Sequence, residues 1–214
     1  NYLNDGGVVI NDHSEKAKIP VTIYSESTPN PSVLKFVTNK RLVPTSFEFL
    51  NIDEAKISPL ATELFHFPFV KGVFLDENYV SITKFDMAEW NDITSELREF
   101  IKSFIEDGKD TIADNIASNL NKSAEELNIK FDELDETSKH IINIIEEYVK
   151  PAVASDGGNI QFESFDPETK LVKVILQGAC SGCPSSTFTL KNGIENMLKQ
   201  MLNDNSLIVE AING

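Results

Sequence analysis

The sequence predicts an α+β protein: two small α/β-type domains, the second ordered α-β-β-α-β, joined by an acidic, partly helical linker. Three observations carry this expectation. Short runs of β-branched and aromatic residues alternate with stretches of helical periodicity. The mixture occurs twice, over residues 20–107 and 136–214. Between them, residues 108–135 are acidic, rich in Asn and Ser, and hold no aromatic except Phe131.

The elements follow in order. Residues 1–19 are polar, lack the basic-then-apolar order of a signal peptide, and are expected to form a flexible tail. Val21–Tyr24 and Val33–Val37 predict strands across the turn-rich Ser27-Thr28-Pro29-Asn30-Pro31, and Phe47–Leu50 alternates as a third. Ser58-Pro59-Leu60 is a helix start, with Ser as cap and Pro at the first helical position. Val70–Leu75 and Tyr79–Thr83 bracket Asp76-Glu77-Asn78 as a hairpin. Ile93, Leu97, Phe100, Ile101 and Phe104 mark one face of a helix that Gly108 closes. In the linker, Ile112, Ile116 and Leu120 hint at short helical turns.

The second unit begins with Thr137-Ser138 as a cap for a helix carrying Ile141, Ile144, Ile145 and Tyr148, with Pro151 near its end. Asp156-Gly157-Gly158-Asn159 is a turn, and Ile160–Glu163 and Leu171–Leu176 are strands. A helix from Pro184 should turn Leu190, Ile194, Met197, Leu198 and Met201 inward, before a last strand over Leu207–Ile212.

The formal net charge is −15, from 34 acidic and 19 basic side chains spread along the whole chain. That balance disfavours phosphate backbones, which reward basic patches, so nucleic acid is not an expected partner. No apolar run approaches the ~20 residues of a membrane span. Two cysteines make no secreted disulfide framework, and a reducing cytoplasm is the expected compartment.

Both cysteines lie in one loop, Gln177-Gly178-Ala179-Cys180-Ser181-Gly182-Cys183-Pro184, between a strand and a helix. Cys180 and Cys183 at C-x-x-C spacing can grip a metal centre from one side, act as a redox pair, or pack as small apolar groups. The solvent-facing position before a helix N-terminus favours thiolate, the form that binds soft metals. A thioredoxin-like site would show an aromatic before the first Cys; Gly178-Ala179 stand there instead, and the metal reading moves ahead. A four-thiolate site needs twice the cysteines this chain has.

Gln177 through Thr187 (QGACSGCPSST), with Leu190-Lys191 and Gly193-Ile194-Glu195, resembles the C-terminal domain of NifU-like proteins, the Nfu family of iron–sulfur carriers. Val149–Val153 and Ser155–Asn159 match the opening of that domain. Thr28-Pro29-Asn30-Pro31, Leu34-Lys35-Phe36, Ser58–Ala61 and Val70–Phe74 resemble the family's N-terminal domain. The resemblance implies an iron–sulfur scaffold or carrier without turnover chemistry of its own. Two chains would each present Cys180 and Cys183 to one 4Fe–4S cluster, forming a homodimer when loaded. The cluster would come from a donor scaffold and pass to apo-protein clients, with zinc as an adventitious occupant. A thiol–disulfide oxidoreductase and a zinc-binding interaction module are the rival readings. Residues 20–107, without any cysteine, are implied to form a recognition or stabilising domain, and 136–214 the cluster-binding domain.

Of the remaining soft-metal donors, His13 lies in the tail, His66 among Phe65, Phe67 and Phe69, and His140 at a helix start. Each is read as a surface or packed histidine. Trp90 is a packing anchor, and the carboxylates form no evident acid–base pair.

Overall fold

The structure, a computed structural model, describes residues 20–113, 131, 133–181 and 184–213. The tail 1–19 and the helical turns at Ile116 and Leu120 fall outside the described residues. Within them the architecture is α+β, with two sheets and a separate hydrophobic core for each.

The first sheet is antiparallel throughout, in the order β1-β2-β5-β4-β3, built from Ile23–Ser27, Val33–Thr38, Phe47–Phe49, Val70–Asp76 and Tyr79–Lys84. Strands β4 and β5 form the expected hairpin. On one face Leu34 and Phe36 pair with Ile82 and Val80, which in turn pair with Val73 and Leu75. These six bury against α1 (Pro59–Leu64) and α2 (Trp90–Glu106), whose inward residues are Leu60, Leu64, Leu97, Ile101 and Phe104. Ser58 caps α1 through a 3.1 Å hydrogen bond from the Ala61 amide, and Pro59 opens the helix as the sequence implies. Thr111, Ile112 and Ala113, read as linker, return to this domain: Ile112 enters the core, and the Ala113 amide donates to Ile57 O.

The other face of this sheet carries Lys35, Val37, Phe74, Tyr79 and Ser81, all buried. β2 is therefore buried at every position, a pattern normal for strands covered on both sides. Helices cover the first face, and the second domain covers part of the other.

That second domain begins at α3 (Glu136–Ile144). Its cap is Asp135 rather than Thr137 or Ser138: the Asp135 carboxylate accepts from the Ser138 amide and hydroxyl. Asp outranks Thr here because it is ionised and faces the positive end of the helix. The helix continues through a π turn (Ile145–Val149) into α4 (Lys150–Ser155). Pro151 accounts for the widened turn. It lacks an N–H and its ring would crowd the carbonyl four residues back, and the five-residue bond from the Lys150 amide to Ile145 O absorbs that misfit. Proline therefore modifies this helix without ending it.

β6 (Gly158–Asp166) and β7 (Leu171–Gly178) form an antiparallel hairpin, and α5 (Pro184–Leu202) crosses over to β8 (Ile208–Asn213), parallel to β7. Val172, Val174 and Leu176 of the central strand join Ile160, Val209, Ile141, Ile145, Ile194 and Leu198 in the core. Met201, expected inward, is exposed on the last turn of α5.

Removing the Asp135 carboxylate should be felt where removing a bystander hydroxyl is not. Asp135→Ala is expected to lower stability by about 0.5–2 kcal/mol, and Thr137→Ala by less than about 0.5 kcal/mol, both read from denaturant midpoints.

Candidate metal centre

β7 ends at Gly178, and the chain turns at once through Ala179 and Cys180 toward α5. The turn is pinned from within. Ser181 donates from both its amide and its hydroxyl to Gly178 O, at 3.1 and 2.9 Å, and the Thr187 hydroxyl donates to Cys180 O at 2.9 Å. The Ala179 amide donates to Gly157 O at 3.2 Å, which ties the cysteine turn to the start of β6.

Cys180 is 6% exposed and packs with the second core. Its sulfur lies against Gly158. A Cβ built on residue 158 would stand 2.9 Å from Cys180 Sγ and 2.5 Å from Gln177 O, so no other residue fits there. On another side Cys180 lines an apolar groove of about 580 Å³, walled by Tyr148, Val149, Leu190, Ile194 and Met197.

This environment reverses one expectation. The helix N-terminus and a solvent-facing loop should have favoured thiolate, yet the Cys180 thiol is pushed up to about 12. Burial is the main cause, with the negative charge of Asp156 adding to it. The sulfur belongs to the turn at the end of β7, inside the core, and desolvation outweighs the dipole of a helix that starts only at Pro184. Cys180 is held as a neutral thiol here. Cys183, its C-x-x-C partner, lies outside the described residues.

The first domain also reaches this turn, a feature with no signal in the local sequence. Glu48 Oε1 accepts from the Gly178 amide at 2.8 Å and shares the Ser181 hydroxyl proton with Gly178 O, at 3.2 Å. Asn30 Nδ2 donates to Ala179 O at 3.3 Å. Glu48 alternates with Phe47 and Phe49 on a short edge strand, so pattern alone reads it as solvated. Burial raises its carboxyl above the usual range, opposed by the hydrogen bonds from Gly178 and Ser181.

The histidines take no part in this. His66 pairs with Glu63 at 3.3 Å on the surface, His140 is exposed, and His13 lies outside the described residues. Trp90 anchors as expected, half-buried on the first core with its indole N–H donating to Pro31 O at 2.9 Å. Among the described residues, no group of three or more His, Cys, Asp or Glu side chains is gathered around a common point.

The donor chemistry fits a soft-metal cargo: a sulfur in a Cβ-free cradle, beside an apolar groove. Residues 23–108 match the family described as scaffold protein Nfu/NifU N terminal, and residues 141–209 match the NifU-like domain. The chain is 37% identical over 193 residues to NifU-like protein 4, mitochondrial, of Arabidopsis thaliana, covering 90% of this chain and 66% of that protein. It is 36% identical to NifU-like protein 5, mitochondrial, of the same plant, covering 90% and 68%. With the NFU1 iron-sulfur cluster scaffold homolog, mitochondrial, of Drosophila erecta, identity is 37% over 83% of this chain and 60% of the relative. The chain thus spans roughly two thirds of the length of these relatives. Their names are mitochondrial, which overturns the cytoplasmic expectation. Cysteine scarcity argues against an oxidising route but does not distinguish one reducing compartment from another. With both domain types matched in order along one chain, this protein belongs to the Nfu family of NifU-like proteins.

Proposed function

We propose that this chain carries an iron–sulfur cluster as cargo, binds it through Cys180 and Cys183, and gives it up to apo-proteins. The observation that carries the reading is the seat of Cys180: a strand-end turn in the NifU-like domain, with the sulfur laid against a position only glycine can occupy. The relatives named as iron–sulfur cluster scaffolds support the same role.

Counting ligands sets the stoichiometry. A 4Fe–4S cluster takes four thiolates, and the chain has two cysteines. One cluster therefore joins two chains, in the simplest case about a two-fold axis. The protein supplies sulfur donors, orientation and shielding from water. Because Cys180 rests as a thiol, iron uptake must release its proton, and loading should slow as pH falls. The same burial weakens the oxidoreductase alternative, which needs a ready thiolate near neutral pH.

Loaded anaerobically, the protein should carry about four irons per two chains. Mass and iron content measured together test this, and a loaded monomer holding a complete cluster without added small thiols would refute it. Cys180→Ser and Cys183→Ser should each abolish stable loading while circular dichroism stays native, because the hydroxyl is a poor ligand for soft iron. Gly158→Ala should cost about 1–3 kcal/mol of stability through overpacking and lower iron retention with both cysteines still present.

A further inference from the structure

Eight side chains of the first domain converge on the turns that hold Cys180 and on the segment leading into them. The Tyr79 hydroxyl donates to Gly158 O at 2.8 Å, and the Ser81 hydroxyl to Gly157 O at 2.7 Å. Lys35 Nζ donates to Ser155 O at 3.3 Å while lying 4.5 Å above the Tyr79 ring. Asn159 Nδ2 donates to the Ser46 hydroxyl at 2.7 Å. Glu48 and Asn30 hold Gly178, Ala179 and Ser181 as described above, and Val37, Phe74 and Tyr79 close over Ala154. The fit is close. Gly157 sits at φ +81, and a Cβ there would stand 2.9 Å from Ser81 Oγ. The two glycines beside Cys180 are thus shaped to two partners at once, one to the sulfur and one to the first domain's sheet.

We propose that the open face of the first sheet is a removable cover for the Cys180 turn, and that cargo enters or leaves only after the two domains part. The inference rests on the cargo reading above, but its geometry stands independently. The contact is made for reversal. Most of its bonds run from side chains of one domain to main-chain groups of the other, and its apolar part is one small cluster. Interfaces of this polar kind within one chain part and close readily. The arrangement also bears on sharing a cluster: Cys180 is 6% exposed, its sulfur rests on Gly158 and the second core, and first-domain side chains hold the main chain on both sides of it. In this reading the first domain, without any cysteine, controls access to the second.

The test uses the full chain with Cys183→Ser, leaving Cys180 as the only thiol. Its alkylation by iodoacetamide is followed at constant pH. Two further changes loosen the cover: Glu48→Ala with Tyr79→Phe, which removes the acceptor of Gly178 and Ser181 and the donor to Gly158, and Ser81→Leu, which drives a larger side chain at Gly157 from the face opposite the first core. Each should speed alkylation roughly tenfold or more, while near-native circular dichroism and thermal melting show that both cores persist. Small-angle scattering should show a larger radius of gyration for Ser81→Leu. The same loosening changes, placed in a chain with both cysteines, should take up iron faster than the parent. Alkylation at the parent rate in both loosened variants would overturn the cover. Faster alkylation with no iron uptake by any protein would support the cover and overturn the cargo reading instead.

Discussion

Cys180 and Gly158 are in contact because β7 ends where β6 begins, and the rest of the architecture follows from keeping them there. The β6–β7 hairpin brings Gly158 opposite Gly178 in register. The α5 crossover then fixes where the chain must go after the turn, since β8 pairs parallel with the same central strand. With the sulfur against a Cβ-free position, Cys180 becomes part of the second core. A thiol held this way is inert until something moves, because burial penalises its charged form. Shielding the sulfur and releasing it are opposed requirements, and one static domain would have difficulty meeting both.

The first sheet answers this by having two finished faces. Its helix-covered face needs no explanation beyond alternation: Leu34, Phe36, Val80 and Ile82 turn toward α1 and α2. The other face holds Lys35, Val37, Phe74, Tyr79 and Ser81, a mixture too polar for a permanent core and too apolar for open water. Lys35 shows how the balance is kept. Its ammonium, nearly buried, is shared among Glu26 at 3.2 Å, Ser155 O and the Tyr79 ring. A lysine with three partners loses less on burial than one with none. Tyr79 keeps its phenol proton because burial and the nearby carboxylate of Asp76 both raise it, so it acts as a fixed donor to Gly158.

Local signals in the sequence were the ones the structure kept. Ser58-Pro59, the hairpin about Glu77-Asn78, the spacing of Leu97, Ile101 and Phe104, and the order of the second domain each depend on neighbours a few residues apart. The misreadings came where a distant partner decides. Ile112 reads as linker, but the first core has room for it. Cys180 reads as an exposed thiolate before a helix, but packing against Gly158 and the second core buries it. Glu48 gave no sign at all, since its partners Gly178 and Ser181 lie about 130 residues away. The C-x-x-C spacing alone leaves metal, redox and packing readings open; tertiary packing decides when a thiol can be used.

Two acceptors at the domain contact bear on how firmly it holds. Glu48 Oε2 and Asn159 Oδ1 are both buried, and among the described residues neither meets a protein donor. Each sits on a side chain whose other polar atom is well bonded, Glu48 Oε1 to Gly178 and Ser181, and Asn159 Nδ2 to Ser46. A buried acceptor without a donor costs about 1–3 kcal/mol, while a neutral hydrogen bond returns about 0.5–1.5 kcal/mol net. Two such acceptors therefore offset several of the bonds that join the domains. Parting the domains returns both oxygens to water and recovers that cost. An interface with every polar atom paired would hold the sulfur more tightly and release it less readily.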